Sequence, residues 1–390
     1  MSQDQLLHFS STCLFLGFWI YALALLFYIA HAIAPEVRAV TARVATGSPG
    51  GTIALSGGGR AEPVFNRYRL GLTATGLAYG GYLLATLGLA ARWDAQGYWP
   101  VANAFEAPIA FSWAIVTVYL VAEKLMRTRI VGWAIFLFVV GFSGYSLFNF
   151  GSGSTVIDPL RPALQSNWLR IHVGMAMTCY SFFALGGALS ITYLVRSGAW
   201  RRPHTFALAI WPVSIVVGIL LGIYIGRWPG SGDALTASKV LGIACEIVVL
   251  SAVTFLGYKG LERRIALEGP LVTRAEGPEA ELLEQLDEWS YRAISIGLPM
   301  IAFVLMSGAI WAQMAWSTFW SWDPKEIWAL ITFVYYALYV HVRVQRGWRG
   351  APMAALGMVG FVIVIISFLG LAYLVGTLGI FSLHTFGNVQ

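Results

Sequence analysis

The residues with the clearest capacity for chemistry form a tryptophan-rich segment, residues 308–330, which reads GAIWAQMAWSTFWSWDPKEIWAL. Four tryptophans fall within twelve residues of it: Trp311, Trp316, Trp320 and Trp322. One or two tryptophans here would be typical of the aromatic belt at a membrane interface. Four of them, followed at once by Asp323, exceed what anchoring requires, and they predict a flat apolar surface for a planar ligand.

Two of the six histidines are candidate partners of this surface. His172 lies in QSNWLRIHVGM, at the start of an apolar segment, and His384 lies in the C-terminal tail. Imidazole is a common axial ligand of haem iron, and two histidines beside a tryptophan surface are what bis-histidine haem binding requires. Each histidine taken alone is more often a structural hydrogen-bonding group, so the hypothesis depends on the combination.

Two further histidines lie at membrane depth. His341, in YYALYVHVRVQRGWRG, lies near the inner end of the apolar segment that follows the tryptophans. An ionisable side chain at such a depth indicates a function, and the alternative is interfacial snorkelling beside Arg343. His31 lies at a similar depth in the first apolar segment and is a weaker candidate.

Haem propionates need cationic partners, and basic residues are scarce on the expected outer side. Three candidates are Arg161, Arg170 and Lys325, of which Arg170 is two residues before His172 and Lys325 is two residues after Asp323. Charge-assisted hydrogen bonds to carboxylates would suit them, with interface anchoring as an equal alternative. Asp323 repels a propionate unless protonated, so we expect it to orient the loop backbone or a neighbouring cation.

The composition indicates which elements must position these residues. The chain has 390 residues, of which 58% are hydrophobic and 11% charged. Soluble domains carry about 25% charged residues, so this chain is predicted to be an all-α polytopic integral membrane protein. Its net charge of +6 is spread over short clusters between apolar blocks, which excludes a nucleic-acid-binding face. Its three cysteines form no CxxC pair, which excludes a disulfide framework and a c-type haem attachment of its own.

About ten apolar segments have the length of about 20 residues that a spanning helix needs. They are 12–34, 70–91, 107–124, 130–149, 168–194, 205–226, 237–257, 293–312, 325–344 and 353–376. One set of alternate loops holds 19 of the 25 basic residues. By the positive-inside rule these loops are inside, which puts both termini, the tryptophan segment, His172 and His384 outside.

The chain is predicted to be a single transmembrane domain, residues 1–390, with four special segments. Residues 35–69 form a flexible inner loop, and 205–258 form an extra helical hairpin. Residues 258–292 form an inner loop with an amphipathic helix, and 308–330 form the outer WWD haem-binding segment with the tryptophans. The paired Gly186 and Gly187 predict close helix packing rather than a binding site.

These motifs resemble the CcsA family (ResC or CcsB in some bacteria) of System II cytochrome c biogenesis. The resemblance rests on the WWD segment with its SWDPKEIWALI continuation, LQSNWLRIHV around His172, LDEWSYRAISIGLP, YVHVRVQRGWRG around His341 and LHTFG around His384. It also includes an earlier outer loop, WPVANAFEAPIAFSW, with Asn103 and Glu106. It covers roughly residues 70–195 and 285–387, in the family's order.

The resemblance implies a cytochrome c haem-lyase subunit that conveys haem b to the outer WWD site and supports its thioether attachment to the CxxCH of apocytochrome c. His172 and His384 match the two outer ligands of haem iron, and His341 matches a ligand of an inner haem site completed by the partner. The implied partners are a CcsB/ResB-type membrane protein, apocytochrome c, a thioredoxin-like thiol reductant and the lipid bilayer. The implied location is a bacterial plasma membrane, with a thylakoid membrane as the alternative.

Two features depart from the family, and rival functions stay open. WAQMAWS replaces the family's WANEAWG, and the family has about eight spans, so 205–258 adds a hairpin. One rival is a haem exporter or chaperone without ligation activity. Another is a transporter of a different solute, which predicts a polar midplane path and repeat symmetry that the sequence lacks. The third is a quinone-binding electron-transfer subunit, which predicts histidine pairs at membrane depth.

Overall fold

A computed structural model of the chain describes residues 1–34, 67–150, 157, 165–210, 237–268 and 276–370, and these contain helices and no β-strand. The helices are α1 (Gln3–Ile33), α2 (Arg67–Gln96), α3 (Glu106–Met126), α4 (Gly132–Phe150), α5 (Asn167–Ser197), α6 (203–210), α7 (Ala237–Glu268), α8 (Pro278–Trp316), α9 (Pro324–Gln345) and α10 (Ala351–Ile365). A 3₁₀ turn, Ala199–Arg201, follows α5, and a π-helical turn, Ile366–Gly370, continues α10.

Within the described residues, seven helices are long and apolar enough to cross a membrane, namely α1, α2, α3, α5, α8, α9 and α10 extended to Phe368. A shorter apolar helix, Gly132–Phe148, lies in α4. The predicted all-α polytopic membrane fold is therefore confirmed. Of the two remaining predicted spans, 237–257 lies within α7, while 205–226 falls largely outside the described residues.

Helix α8 is longer than the sequence predicted. The amphipathic helix expected at the end of the 258–292 segment and the span expected at 293–312 form one continuous helix of 39 residues. The reason is that buried Leu283 and Leu286 belong to the same core as Ala293 and Ile294, so the apolar stripe continues without a break. Pro299 lies inside this helix without ending it.

Helix α5 occupies the centre of the bundle and packs against α3, α4, α8 and α10. The two glycines predicted to allow close packing lie at these contacts. A methyl group at Gly186 would lie 2.7 Å from Cγ1 of Ile294 in α8, and Gly187 abuts Phe361 in α10. Small residues that let helix backbones approach are a common source of helix association in membranes.

Two buried ion pairs connect neighbouring elements at opposite ends of the bundle. Arg92 of α2 pairs with Glu106 at the start of α3, with 2.6 Å between Nε and Oε1. Arg343 of α9 pairs with Asp287 of α8, with 2.6 Å between Nη1 and Oδ2. Asp287 also accepts a hydrogen bond of 3.0 Å from the backbone N–H of Gly350, just before α10. Buried charges persist when paired in this way, so both pairs hold helix ends in place.

A third buried carboxylate, Glu123 of α3, is enclosed by hydroxyl donors from three helices. Tyr28 and Tyr119 each donate to its Oε2 at 2.7 Å, and Thr75 donates to Oε1 at 2.6 Å. The guanidinium of Arg129 lies 3.4 Å from Oε1. Because both carboxylate oxygens have donors, this cluster ties α1, α2 and α3 together near the end of α1 that carries His31.

Candidate functional site

His172 lies in the second turn of α5 and faces α8. The helix begins after Ser166, whose hydroxyl accepts a hydrogen bond of 3.2 Å from the N–H of Trp168. Nδ1 of His172 lies 3.0 Å from the carbonyl oxygen of Val304 and 3.4 Å from Oγ of Ser307. Because a carbonyl only accepts, Nδ1 carries the proton and Nε2 carries the lone pair, which is the tautomer that binds a metal through Nε2.

Trp311 lies beside His172, and Trp316 packs against Trp311. The Trp311 ring is nearly parallel to the imidazole, at an interplanar angle of 18° and a centroid distance of 6.2 Å. Trp316 meets Trp311 edge to face, at 66° and 4.7 Å. Trp311 is only 3% exposed, whereas Trp316 is half-buried. The start of α5 and the end of α8 thus share one end of the bundle, as the alternating loops predicted.

The other two tryptophans lie in the connection between α8 and α9. The predicted span ended at residue 312, but α8 continues to Trp316, so the connection begins only at Ser317. Trp320 and Trp322 meet edge to face, at 88° and 5.9 Å, and Trp322 is 70% exposed. Ser317 and Trp322 both have a φ of 58°, a left-handed conformation that non-glycine residues rarely adopt. Such backbone strain is concentrated at functional sites.

Asp323 acts on the backbone. Its carboxylate is the N-cap of α9 and accepts a hydrogen bond of 2.9 Å from the N–H of Lys325. Glu326 completes a capping box, since its Oε2 accepts from the N–H groups of Asp323 at 3.2 Å and of Ser321 at 2.9 Å. The sequence Asp-Pro-Lys-Glu is therefore a helix start signal, with proline in the first turn. Asp323 thus orients the backbone at the start of α9, while its role toward haem stays a prediction.

The remaining predicted site residues lie in different places. Arg170 is exposed at the His172 end of α5, and Lys325 is half-buried in the first turn of α9. His341 is exposed at the opposite end of α9, on the same face as the exposed Val334 and Leu338. His384 and Arg161 lie outside the described residues.

Two of the α8 residues that contact His172, Val304 and Gly308, were not among the predicted site residues, whereas Trp311 was. Val304, Gly308 and Trp311 recur at spacings of four and three, so they share one face of the helix. A methyl group at Gly308 would lie 2.8 Å from Cε1 of His172. The sequence feature that could have identified this contact is a small residue, Gly308, one helical turn before the first tryptophan.

Glu106, named only as part of the early outer loop, also has a defined place. Besides Arg92, it accepts a hydrogen bond of 3.0 Å from the N–H of Ala102. Asn103 also contacts the start of this helix, since its side-chain oxygen accepts a hydrogen bond of 2.8 Å from the N–H of Glu106. The loop that these residues order includes Trp99, whose ring would lie 3.6 Å from a methyl group at Gly174 of α5.

Comparison with known families identifies the chain's relatives. Residues 101–378 match the family described as cytochrome c assembly protein, a range that includes His172, the tryptophan segment and His341. The chain belongs to this family. Three similar proteins, each named cytochrome c biogenesis protein CcsA, come from Trichormus variabilis, Synechococcus elongatus and Gloeobacter violaceus.

The similarity to these CcsA proteins extends over most of each chain. The Trichormus protein is 36% identical over 335 residues, which cover 81% of this chain and 88% of that one. The Synechococcus protein is 33% identical over 312 residues, covering 80% and 86%. The Gloeobacter protein is 33% identical over 322 residues, covering 82% and 87%. The resemblance to the CcsA family is therefore confirmed, and the chain is a multi-pass membrane protein with a part in cytochrome c maturation.

Proposed function

We propose that this chain is the haem-presenting subunit of a cytochrome c synthase. Haem b binds at the outer membrane face with His172 and His384 as axial ligands, and its vinyl groups face the CxxCH thiols of apocytochrome c. The observation that carries this proposal is the position of His172. Its Nδ1 is hydrogen-bonded to the Val304 carbonyl 3.0 Å away, and Trp311, the first tryptophan of the family's characteristic segment, lies beside its ring.

The surroundings of His172 suit an iron ligand. A ligating histidine almost always donates its other ring N–H to a carbonyl or carboxylate, which fixes the ring and makes the ligating nitrogen more basic. The Val304 carbonyl fills that place for His172. Arg170 and Lys325, in the first turns of α5 and α9, are the candidate partners of the propionates, where helix N-termini add to the attraction for anions.

The covalent step needs positioning more than acid–base catalysis. Each cysteine thiol adds across one vinyl group, so that sulfur bonds to one vinyl carbon and the thiol hydrogen goes to the other, with no net oxidation. Holding both vinyls next to the two thiols supplies most of the acceleration. The thiols must reach the site reduced, which assigns a thioredoxin-like reductant to the outer side of the membrane.

A second haem position is proposed at the inner end of α9. His341 is exposed on a face that also exposes Val334 and Leu338. An ionisable side chain directed at lipid is costly, so a protein partner covers it in the assembled complex. We assign this partner to a CcsB/ResB-type membrane protein that supplies the second ligand, in a bacterial plasma membrane or a thylakoid membrane.

The test is the absorption spectrum of the complex purified after co-expression with the partner. His172→Ala and His384→Ala should lose the six-coordinate signature of the outer haem, and added imidazole should restore it. His8→Ala is the matched control, because His8 is an exposed histidine in the second turn of α1, and its neighbours Gln3 and Ser10 bond to Ala95 and Gly88 of α2. Unchanged haem ligation and unchanged cytochrome c assembly in both outer variants would overturn the proposal.

A second assay separates a synthase from a haem exporter. The purified complex is incubated with haem, a reduced peptide containing CxxCH and a thiol reductant. Thioether formation that depends on His172 supports the synthase. Haem release to the peptide without a covalent bond indicates the exporter, and the ligation part of the proposal is then wrong.

A further inference from the structure

We infer that Val304, Gly308 and Trp311 of α8 form a seat for the His172 ring that sets its orientation as an axial ligand, and that Trp311 orients this ligand without stacking on the porphyrin. The inference rests on the proposed role of His172 in binding iron. It divides the tryptophan segment into two parts. Trp311 acts on the ligand, while Trp316, Trp320 and Trp322 remain for the porphyrin.

The division follows from the geometry of an axial imidazole. The bond from iron to Nε2 lies in the imidazole plane and is perpendicular to the porphyrin, so the two planes are perpendicular to each other. The Trp311 ring is within 18° of the imidazole plane. Trp311 is therefore also close to perpendicular to the porphyrin and presents an edge to it. Its face is occupied on the imidazole side, in keeping with its exposure of only 3%.

Trp316 differs from Trp311 in both respects. Its ring is turned by 66° from that of Trp311, which allows its face to lie roughly parallel to a porphyrin bound by His172. It is half-buried rather than buried, and Trp322 on the connection is 70% exposed. Both rings are therefore at least partly exposed, as a ring that stacks on a planar ligand has to be.

Gly308 supplies the space in which the imidazole lies. A methyl group at this position would lie 2.8 Å from Cε1, 3.1 Å from Nδ1 and 3.7 Å from Nε2 of His172. The first of these distances is shorter than carbon atoms tolerate, so the ring would have to move. Any such movement acts directly on the 3.0 Å hydrogen bond from Nδ1 to the Val304 carbonyl. Glycine at 308 is therefore a positioning residue for the ligand.

The test compares two alanine substitutions on the same helix. Gly308→Ala crowds His172, while Gly297→Ala is the matched control, because a methyl group there would lie 2.5 Å from Cε1 of Phe183, away from the site. Both variants are purified in the complex with the co-expressed partner. Absorption and electron paramagnetic resonance spectra then report the ligand field of the haem iron.

Gly308→Ala should retain at least half of the bound haem while losing most of the low-spin signal, and imidazole should restore that signal as it does in His172→Ala. The double variant that combines Gly308→Ala with His172→Ala should give the same spectra as His172→Ala alone, because both changes act through one ligand. Gly297→Ala should lower thermal stability and leave the spectra unchanged. If Gly308→Ala instead matches Gly297→Ala, the seat is disproved while the proposed function stands. A wild-type spectrum in His172→Ala would disprove the proposed function itself.

A second pair of variants keeps the test decisive if Gly308→Ala fails to fold. Trp311→Ala should change the electron paramagnetic resonance spectrum with little loss of haem, while Trp311→Phe, which keeps a flat ring beside the imidazole, should stay close to wild type. Trp316→Ala should lower the haem content several-fold and leave the ligand field of the remaining haem unchanged. Equal haem loss with unchanged ligand field in Trp311→Ala and Trp316→Ala would mean that Trp311 stacks on the porphyrin, and the inference would be wrong.

Discussion

His172 and His341 lie at opposite ends of the bundle and differ in what holds them. The ring of His172 is half-buried, hydrogen-bonded to the backbone of α8 and stacked on Trp311. His341 is exposed on α9, beside apolar residues that are also exposed. The chain thus orients one histidine by itself and leaves the other at a surface that another molecule has to complete.

The inner end of α9 is fixed through a different residue. Arg343, two positions after His341, is buried and paired with Asp287 of α8. The backbone that carries His341 is therefore held firmly although its side chain is not. A preorganised ligand therefore needs contacts to its own ring, whereas an interfacial ligand needs only a well-placed helix.

The largest predicted effect comes from removing Asp287, which holds the inner end of α9 through its ion pair with Arg343. Asp287→Ala leaves the Arg343 guanidinium buried without its main partner, and breaking a buried pair costs about 3–5 kcal/mol. We expect a large fall in the unfolding temperature of the detergent-purified chain. The haem signal that depends on His341 should fall more than the one that depends on His172.

Glu288→Ala is the control for this change, because Glu288 lies 3.5 Å from Arg343 but is about one-third exposed. Exposed ion pairs contribute about 0–1 kcal/mol, so its unfolding temperature should stay near that of wild type. Equal destabilisation by the two substitutions would show that the Arg343–Asp287 pair is not what holds the inner end of α9.

An intermediate effect is predicted for leucine at each of the two histidines. In the chain purified without its partner, His172→Leu removes a hydrogen bond of about 0.5–1.5 kcal/mol and the stacking on Trp311, so stability should fall. His341→Leu changes an exposed residue on an apolar face, and its effect should stay within about 0.5 kcal/mol. Thermal unfolding in detergent measures both.

In the complex with the co-expressed partner, His341→Leu should have a clear effect on haem binding. His341→Leu should then lose inner haem, since the missing imidazole cannot be supplied by the apolar face of α9. If His341→Leu destabilised the isolated chain as much as His172→Leu, the histidine would have a packing role within this chain. The proposed difference between His172, which the chain itself orients, and His341, which a partner completes, would then be wrong.

The sequence predicted the membrane fold well and the local geometry of the site less completely. The lengths of the apolar segments and the alternation of basic loops were sufficient to place His172 and the tryptophans at one end. Single-residue periodicity could not show that α8 continues as far as Trp316, because tryptophan fits both a helix and an interface loop. It also could not show which ring faces the imidazole, since that depends on the packing of α5 against α8.

The buried polar pairs were the least predictable part. Glu123 reads as one acid at the end of an apolar segment, and its donors Tyr28 and Thr75 lie far away in the sequence. Only the tertiary contacts bring them together. Asp287 and Arg343 did occur in motifs that resemble the family, but their pairing again required the fold.

The smallest predicted effect is that of Asp323→Asn, and its comparison with Asp323→Ala tests whether this carboxylate serves the connection or the ligand. Asp323→Ala removes the N-cap of α9, which costs about 0.5–2 kcal/mol, whereas Asp323→Asn keeps a capping oxygen and should cost little. Haem content should follow the same order, because the cap sets the start of α9 directly after Trp322 and so fixes where the exposed ring projects. Thermal unfolding and haem absorbance of the two variants, measured side by side, check this. If Asp323→Asn instead lost as much haem as Asp323→Ala at nearly wild-type stability, the negative charge would act on the bound haem or its cationic partners. Haem binding at the outer site would then depend on the charge of Asp323 as well as on the orientation of the tryptophan rings. The capping hydrogen bond alone does not predict such a dependence on charge.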